Sequence, residues 1–397
     1  MLKQAAIKTN ETAPAVALAG QRERVALTRL VLTDFRSYAG ADLAFDGRPV
    51  AIFGANGAGK TNILEAISLV GPGRGLRRAR LDELPRLGGP GGWSVAIRIK
   101  DEDDEQRFGV GVDADRPERR ICRIDGAPAS GPGAFADRLR FMWLTPAQDR
   151  LFMDGASERR RFLDRMALAH DPAHAKASAD YENAMRSRQR LLDEGRSDDS
   201  WLAGLERQMA EAGVAIAAAR CAMVSRLAHA EIAASGGIFP AADLALDGGL
   251  EAALADVLPA AVEDAFAEEL AEARRRDAAA GRALSGPHRT DLLVAHRAKK
   301  QPARLCSTGE QKALLIGLVL AASRAFAKEF GARPPLILLL DEVAAHLDPD
   351  RRAALYDIID ELGFQAFLTG TDEALFSAWG SRAQRFAARD GALTAID

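Results

Sequence analysis

Little in this sequence would hold a small secreted fold together or anchor a chain in a bilayer. Its 3 cysteines, Cys122, Cys221 and Cys306, stand alone and never in Cys-x-x-Cys spacing, which argues against a disulfide framework or a zinc site and fits a reducing cytoplasm. No apolar run approaches the roughly 18 residues of a membrane span. The longest are of core-strand size, such as Leu336 to Leu340. Residues 1–22 hold only a short apolar patch, Ala13 to Gly20, interrupted by Pro14, and read as a flexible tail rather than a signal segment. Excess positive charge is also missing: 53 Lys and Arg against 56 Asp and Glu give a net −3, so any nucleic-acid contact must come from local patches. Aromatic residues are scarce at 6%, and no stacking platform, zinc finger or helix-turn-helix is present to read bases.

What the chain does have is ordinary globular material. With 397 residues, 48% of them hydrophobic and 27% charged, it can form two domains or one with a large insert. Its most informative stretch is Val50 to Thr61, a buried strand, a glycine-rich turn and the start of a helix, matching G-x-x-x-x-G-K-[ST] from Gly54 to Thr61. Gly54, Gly57 and Gly59 let the backbone take positive φ and approach an anion without a Cβ in the way. The helix adds its partial positive end, Lys60 a mobile charge for the β/γ-phosphates, and Thr61 a hydroxyl for Mg²⁺. The apolar helix that follows (Ile63, Leu64, Ala66, Ile67) makes this a nucleotide site, with Asn56 and Asn62 among its contacts.

Strands are expected before the loop at Arg24–Leu32, where the alternation shifts phase across Thr28 and Arg29, and at Ala41–Phe45. After it, Trp93–Lys100, Arg107–Val112 and Arg119–Ile124 read as an antiparallel meander, followed by a strand at Leu139–Leu144. The period then turns helical: a helix capped by Ser157, a long helix Ala173–Leu192, another Trp201–Ile232, and a run Ala252–Arg282. Leu205, Met209, Ala212, Ile216, Ala219 and Met223 alternate by four and three, so the two long helices form either a projecting hairpin or a bundle packed on the sheet. Sheet resumes at Asp291–His296.

Two further clusters carry chemistry. Ser307-Thr308-Gly309-Glu310-Gln311 opens an apolar helix and is either a second anion site or a capping sequence. Leu336 to Leu340 is a buried strand that ends in Asp341 and Glu342, and buried carboxylates need partners. Asp341 is suited to hold Mg²⁺, and Glu342 to act as general base on the attacking water.

The order of these clusters, with His346-Leu347-Asp348 after them, resembles the ABC-type ATPase head of the SMC-like class. Asp34-Phe35-Arg36-Ser37-Tyr38, Glu158 to Asp164, and Ser285-Gly286-Pro287-His288-Arg289-Thr290-Asp291 narrow the resemblance to the RecF family of recombination and gap-repair mediators. The resemblance implies an α/β fold: an ABC-type P-loop ATPase head, a mixed sheet flanked by helices plus an antiparallel β meander, in two parts (residues 23–163 and 282–397), with an inserted α-helical arm domain at 164–281. It implies ATP and Mg²⁺ as cofactors and an ATP-dependent homodimer. Lys60, Thr61 and Asp341 of one protomer would meet Ser307, Thr308, Gly309 and Glu310 of the other, with Asp348 in the communicating loop. Arg36 is a phosphate or ribose contact by the same analogy, or else a surface arginine near a turn. Thr369 stands where transporter-type heads carry a histidine, which implies slow hydrolysis used for release, and the resemblance implies a weak, DNA-stimulated ATPase that works as a switch. Gln148 takes the place of a metal-facing acid, or is a loop glutamine.

The partners implied are RecR, RecO and double-stranded or gapped DNA, bound without regard to sequence, and no membrane. For DNA the chain offers patches: Arg74, Arg77, Arg78 and Arg80; Arg159 and Arg160; Arg275 within Arg274–Arg276; Lys299 and Lys300. Such a protein would help load recombinase at single-strand/double-strand junctions. Two other classes remain open on the sequence alone: an ATPase subunit of a membrane transporter, and a scaffold that binds nucleotide without turning it over.

Overall fold

A computed structural model describes residues 25–101, 104–195, 198–233 and 237–396. The expected N-terminal tail lies outside them. In chain order the head begins with β1 (Ala26–Phe35), β2 (Tyr38–Ala44), β3 (Val50–Phe53), α1 (Lys60–Ser68), β4 (Trp93–Lys100), β5 (Glu105–Val112), β6 (Ile121–Ile124), β7 (Ala127–Pro128) and β8 (Arg140–Leu144). Then come α2 (Ala156–His170), α3 (Ala173–Asp193), α4 (Asp199–Ala233), β9 (Ala242–Asp247), α5 (Gly249–Ala253) and α6 (Pro259–Ala280). The chain closes with β10 (Asp291–His296), β11 (Gln301–Pro302), α7 (Thr308–Phe330), β12 (Leu336–Leu340), α8 (Pro349–Leu362), β13 (Gln365–Gly370), β14 (Gln384–Arg389) and β15 (Ala392–Ile396).

The strands form three sheets. The meander is an antiparallel sheet ordered β2-β1-β4-β5-β6-β7, in which Trp93, Val95, Ile97 and Ile99 point inward as their alternation predicts. The phase shift at Thr28 is a β-bulge, where the register against β4 slips between Leu27 and Arg29. The second sheet, β15-β14-β3-β13-β12-β8, is parallel except for its β14–β15 edge pair. Its central strands are buried on both faces, which is why they read as unbroken apolar runs. Val50, Ile52, Ile337 and Leu339 share one core with α1 and the antiparallel sheet. Ala51, Phe53, Leu338 and Leu340 share the other with α2, α7 and α8. Helix α1, and with it the phosphate loop, is thus clamped between two sheets.

The arm is a three-helix unit. Tyr181 and Leu191 of α3, Leu205 and Met209 of α4, and Phe266 and Leu270 of α6 make its core. At about 1.5 Å per residue, α4 is roughly 50 Å long, and its C-terminal half inserts Met223 and Leu227 into the head core. The two sequence alternatives therefore merge: α3 and α4 pack lengthwise as a hairpin, and the same α4 docks on the head.

The insert departs from the purely helical expectation at 242–247. There β9 pairs with β10 in antiparallel register, from Ala242 opposite His296 to Asp247 opposite Asp291, making with β11 a small third sheet. A six-residue strand of Ala, Asp and Leu has little intrinsic β preference, and its partner arrives some 50 residues later. Helix α2 runs through the expected boundary at residue 163, and its N-cap is Gly155 rather than Ser157. Among the described residues no helix is long and apolar enough to cross a membrane.

Candidate functional site: a phosphate loop facing two carboxylates

The loop between β3 and α1 is fixed by glycine. Gly54, at φ 149, passes so close to β14 that a Cβ would stand 2.3 Å from the Ala388 carbonyl oxygen. Gly59, at φ 97, is similarly pressed, with Ser37 Oγ and Tyr38 Oη each 2.8 Å from the place of a Cβ. Gly57, at φ 82, faces open space, so the loop is bare backbone on its outer side. The first N–H groups of α1 have no partner within the helix. Lys60 folds back over the loop, its Nζ donating to the carbonyl oxygens of Gly54 at 2.8 Å and Ala55 at 3.0 Å.

Across from Thr61 stands the end of β12. Thr61 Oγ1 donates to Asp341 Oδ1 at 2.9 Å, and Thr369 Oγ1 donates to the same oxygen at 2.6 Å. The Glu342 N–H in turn donates to Thr369 Oγ1 at 2.9 Å, and Glu342 sits in the left-handed region at φ 52. Strained backbone of this kind collects at functional positions. The Asp341 N–H is tied to Leu144 O at 2.8 Å, so the neighbouring strand β8 fixes it from behind. Asp341 is buried, and its Oδ2 accepts no hydrogen bond among the described residues. A hydroxyl and a free carboxylate oxygen side by side are the hard donors that Mg²⁺ takes, usually with phosphate and water completing the shell.

The remaining expected residues sort into three groups. Some surround the loop without reaching into it. Arg36, at φ 55, holds the buried Glu65 of α1 through Nε at 2.9 Å and Nη2 at 2.7 Å, and gives Nη1 to Glu83 O at 2.7 Å. Asn62 donates to Ser37 Oγ at 2.9 Å and accepts from Arg77 at 2.8 Å, while Asn56 is exposed on the loop. Gln148 turns back on its own turn, its Oε1 accepting the Thr145 N–H at 3.0 Å.

A second group gathers at the start of α7. Ser307 is its N-cap in a capping box: Ser307 Oγ accepts from the Glu310 N–H at 3.4 Å and the Ser307 N–H donates to Glu310 Oε2 at 3.0 Å. Lys299 also binds Glu310, and with the Ser307 groups holds its carboxyl down at about 2. Thr308 occupies the first helical position, and a Cβ on Gly309 would meet nothing within 4 Å. Asp348 caps α8, accepting the Arg351 N–H at 2.8 Å.

The basic residues form the third group. Arg77 binds Glu65 at 3.2 Å, Arg80 binds Asp82 at 3.0 Å, Arg159 binds Asp291 at 2.8 Å, and Arg160 donates to Thr290 O at 2.6 Å. Arg74, Arg78, Arg275 and Lys300 have no ion pair among the described residues.

Sequence reasoning noted Thr369 only as a missing histidine. Its bridging of Asp341 and Glu342 comes from β13 lying beside β12 with Leu340 opposite Leu368, which no local pattern announces.

A phosphate loop facing a strand-end carboxylate pair occurs in many ATPases, and comparison with known proteins decides which. The family model for the RecF/RecN/SMC N-terminal domain matches residues 26–392. A DNA replication and repair protein RecF of Rhizobium etli (strain CIAT 652) is 52% identical over 371 residues, covering 93% of this chain and 98% of its own. The chain belongs to the RecF family. The RecF of Rhizobium rhizogenes is 53% identical over 374 residues, 94% of this chain and 99% of the relative. Among solved structures, the recombination mediator protein RecF of the RecFOR pathway superposes in its ATPrS form with TM-score 0.79 over 94% of this chain and 99% of that one, at 21% identity. A Pyrococcus furiosus Smc head domain superposes with TM-score 0.50 at 19% identity, covering 94% of this chain and 96% of that one. The head expected from the sequence is therefore the RecF and SMC head fold, and the transporter alternative falls away.

Proposed function

We propose that this RecF-family chain is an ATP-switched, DNA-binding protein of replication and recombinational repair. One observation carries the reading: Thr61, Asp341, Thr369 and Glu342 form a single hydrogen-bonded set at the phosphate loop. Lys60 and the free N–H groups of the loop and of α1 would receive the β- and γ-phosphates. Thr61 and Asp341 would hold Mg²⁺, which supplies charge neutralisation at the transferred phosphoryl group. Glu342, its backbone pinned by Thr369, would take the proton of the attacking water.

Ser307 to Gly309 form the capping box of α7, a separate hydrogen-bonded set that one ATP on one protomer does not need, and this helix start is suited to a second anion. We assign it to the nucleotide of a second copy, so that ATP closes a homodimer and hydrolysis releases it. Hydrolysis is slow and DNA-stimulated on this reading, because Thr369 can orient but not act as a histidine would. The closed dimer binds duplex or gapped DNA in the cytoplasm through its phosphates, with RecR and RecO as partners. The solved RecF-ATP protein described as belonging to the RecFOR pathway supports the nucleotide and the pathway in this reading.

The test is molecular mass in solution with and without ATP and gapped DNA. Wild type should dimerise with ATP. Lys60→Ala should bind no ATP, while Ser307→Arg should bind ATP as wild type does and remain monomeric. An S307R protein that still dimerises on ATP would overturn the shared-site reading.

A further inference from the structure

Most basic residues of the head already have a partner, but in one group around the loop after α1 only Arg161 has a counter-charge. Arg78 is exposed there, in the left-handed region at φ 59, with no ion pair among the described residues. Arg165 of α2 comes to the same loop. Its guanidinium lies 3.7 Å from the centre of the Trp143 ring, and a Cβ on Gly73 would stand 3.5 Å from its Nη2. Arg120 reaches the same glycine, donating Nη1 to Gly73 O at 2.7 Å, while its Nε and Nη2 are buried without a partner. Arg161, one turn before Arg165, is paired with Glu158.

Four guanidinium groups therefore crowd one loop. Of the nearby carboxylates, Glu158 is taken by Arg161, and Asp164 is committed to Arg220 and His174. Burial, and then the charge of Arg78, lower the pKa of Arg161 and bring that of Arg165 down to about 10, against the opposing pull of Asp164 on Arg165. The fold holds Arg165 with an aromatic ring and Arg120 with a glycine carbonyl, and of the four groups only Arg161 has a counter-charge, Glu158. Their mutual repulsion is a standing cost that an external anion would remove. A guanidinium stacked on a ring also keeps its in-plane N–H groups for another acceptor, and their fork fits phosphate oxygens.

We propose that Arg78 and Arg165, with Arg74 at the rim, form a phosphodiester-binding site for the DNA backbone. The site rests on the DNA-binding reading above and gives it a location. It also separates true contacts from look-alikes: Arg80, Arg159, Arg160 and Lys299 are engaged within the fold, so their charge is already answered.

The experiment is duplex binding by fluorescence anisotropy in saturating ATP, between 50 and 200 mM salt, with ATP affinity as the check on folding. Each lost phosphate contact reduces the slope of log K against log salt by about 0.9, so Arg78→Gln should lose about 3.5-fold less affinity than wild type across that range. The double variant Arg74→Gln/Arg78→Gln should change the slope by about 1.8, and Arg80→Gln should leave it unchanged. If wild type binds no duplex in ATP, the DNA-binding reading itself fails. If wild type binds and both Arg78 variants keep its slope, the reading stands and this site is wrong.

Discussion

The phosphate-loop site and the helical arm both bury charged side chains, and they treat them in opposite ways. In the arm, Arg188 of α3 is fully enclosed and fully answered: it donates to Glu206 at 3.0 Å, Asp277 at 2.7 Å and the Leu270 carbonyl at 2.6 Å. Glu206 is completed by Arg274 at 2.6 Å, and Asp277 by the Leu284 N–H at 3.1 Å. In the head, buried Lys60 rests on two backbone carbonyls with no carboxylate, and Asp341 takes both of its side-chain hydrogen bonds on Oδ1 and leaves Oδ2 open to solvent. Buried charge with every valence filled is structure. Charge with a valence left open to solvent is a place for a ligand, because a cation or phosphate can engage it without breaking a bond within the fold.

The contrast can be broken most forcefully from the arm. Arg188→Ala leaves buried Asp277 without a cation and Glu206 with Arg274 alone, and removing one member of a buried ion set costs about 3–5 kcal/mol. Urea unfolding should show a loss of that size, while ATP affinity at the head stays within about twofold. A loss below about 1 kcal/mol would mean that the arm tolerates unpaired charge and that the contrast is false. From the head the change should be the reverse. Glu342→Gln removes a general base, an effect of roughly 10²–10⁴ in rate. Single-turnover hydrolysis should fall by that much and the ATP-bound dimer should persist, with the urea midpoint almost unmoved. Unchanged turnover would remove Glu342 from the chemistry.

The same contrast explains what could be read from the chain and what could not. The phosphate loop, the strand ending in Asp341 and Glu342, and the alternation of Trp93 to Ile99 were legible because each is a local pattern imposed by local physics: φ at glycine, burial on two faces, or period two. Arg188 was not, since a polar residue in the middle of α3 looks like any solvated helix position until α4 and α6 close over it. Arg36 read either as a ligand contact on motif grounds or as a surface arginine near a turn, and what neither reading foresaw is that three of its donors go to Glu65 and Glu83, residues 29 and 47 positions away. The strand β9 was hidden because its stability comes from β10 rather than from its own sequence. In each case the missing information was a partner distant in sequence.

The smallest of these effects lies where the two regions meet. Asp164 of α2 accepts from Arg220 of α4 at 2.7 and 3.0 Å and from His174 of α3 at 3.1 Å, so one carboxylate joins the head helix to both long arm helices. Although burial alone would raise its pKa, the His174 and Arg220 hydrogen bonds bring it from 3.8 down to about 2. A folded-state pKa below the unfolded one means that the stabilisation is complete above the unfolded value and is lost as pH falls through the folded one. For this shift it amounts to about 2 kcal/mol near neutrality. Asp164→Asn should therefore be less stable than wild type at pH 6, and the difference in urea unfolding free energy should shrink by about 1 kcal/mol on going to pH 3. A difference that stays constant over that range would show that the junction is held by packing of α2 against α4 and not by the carboxylate.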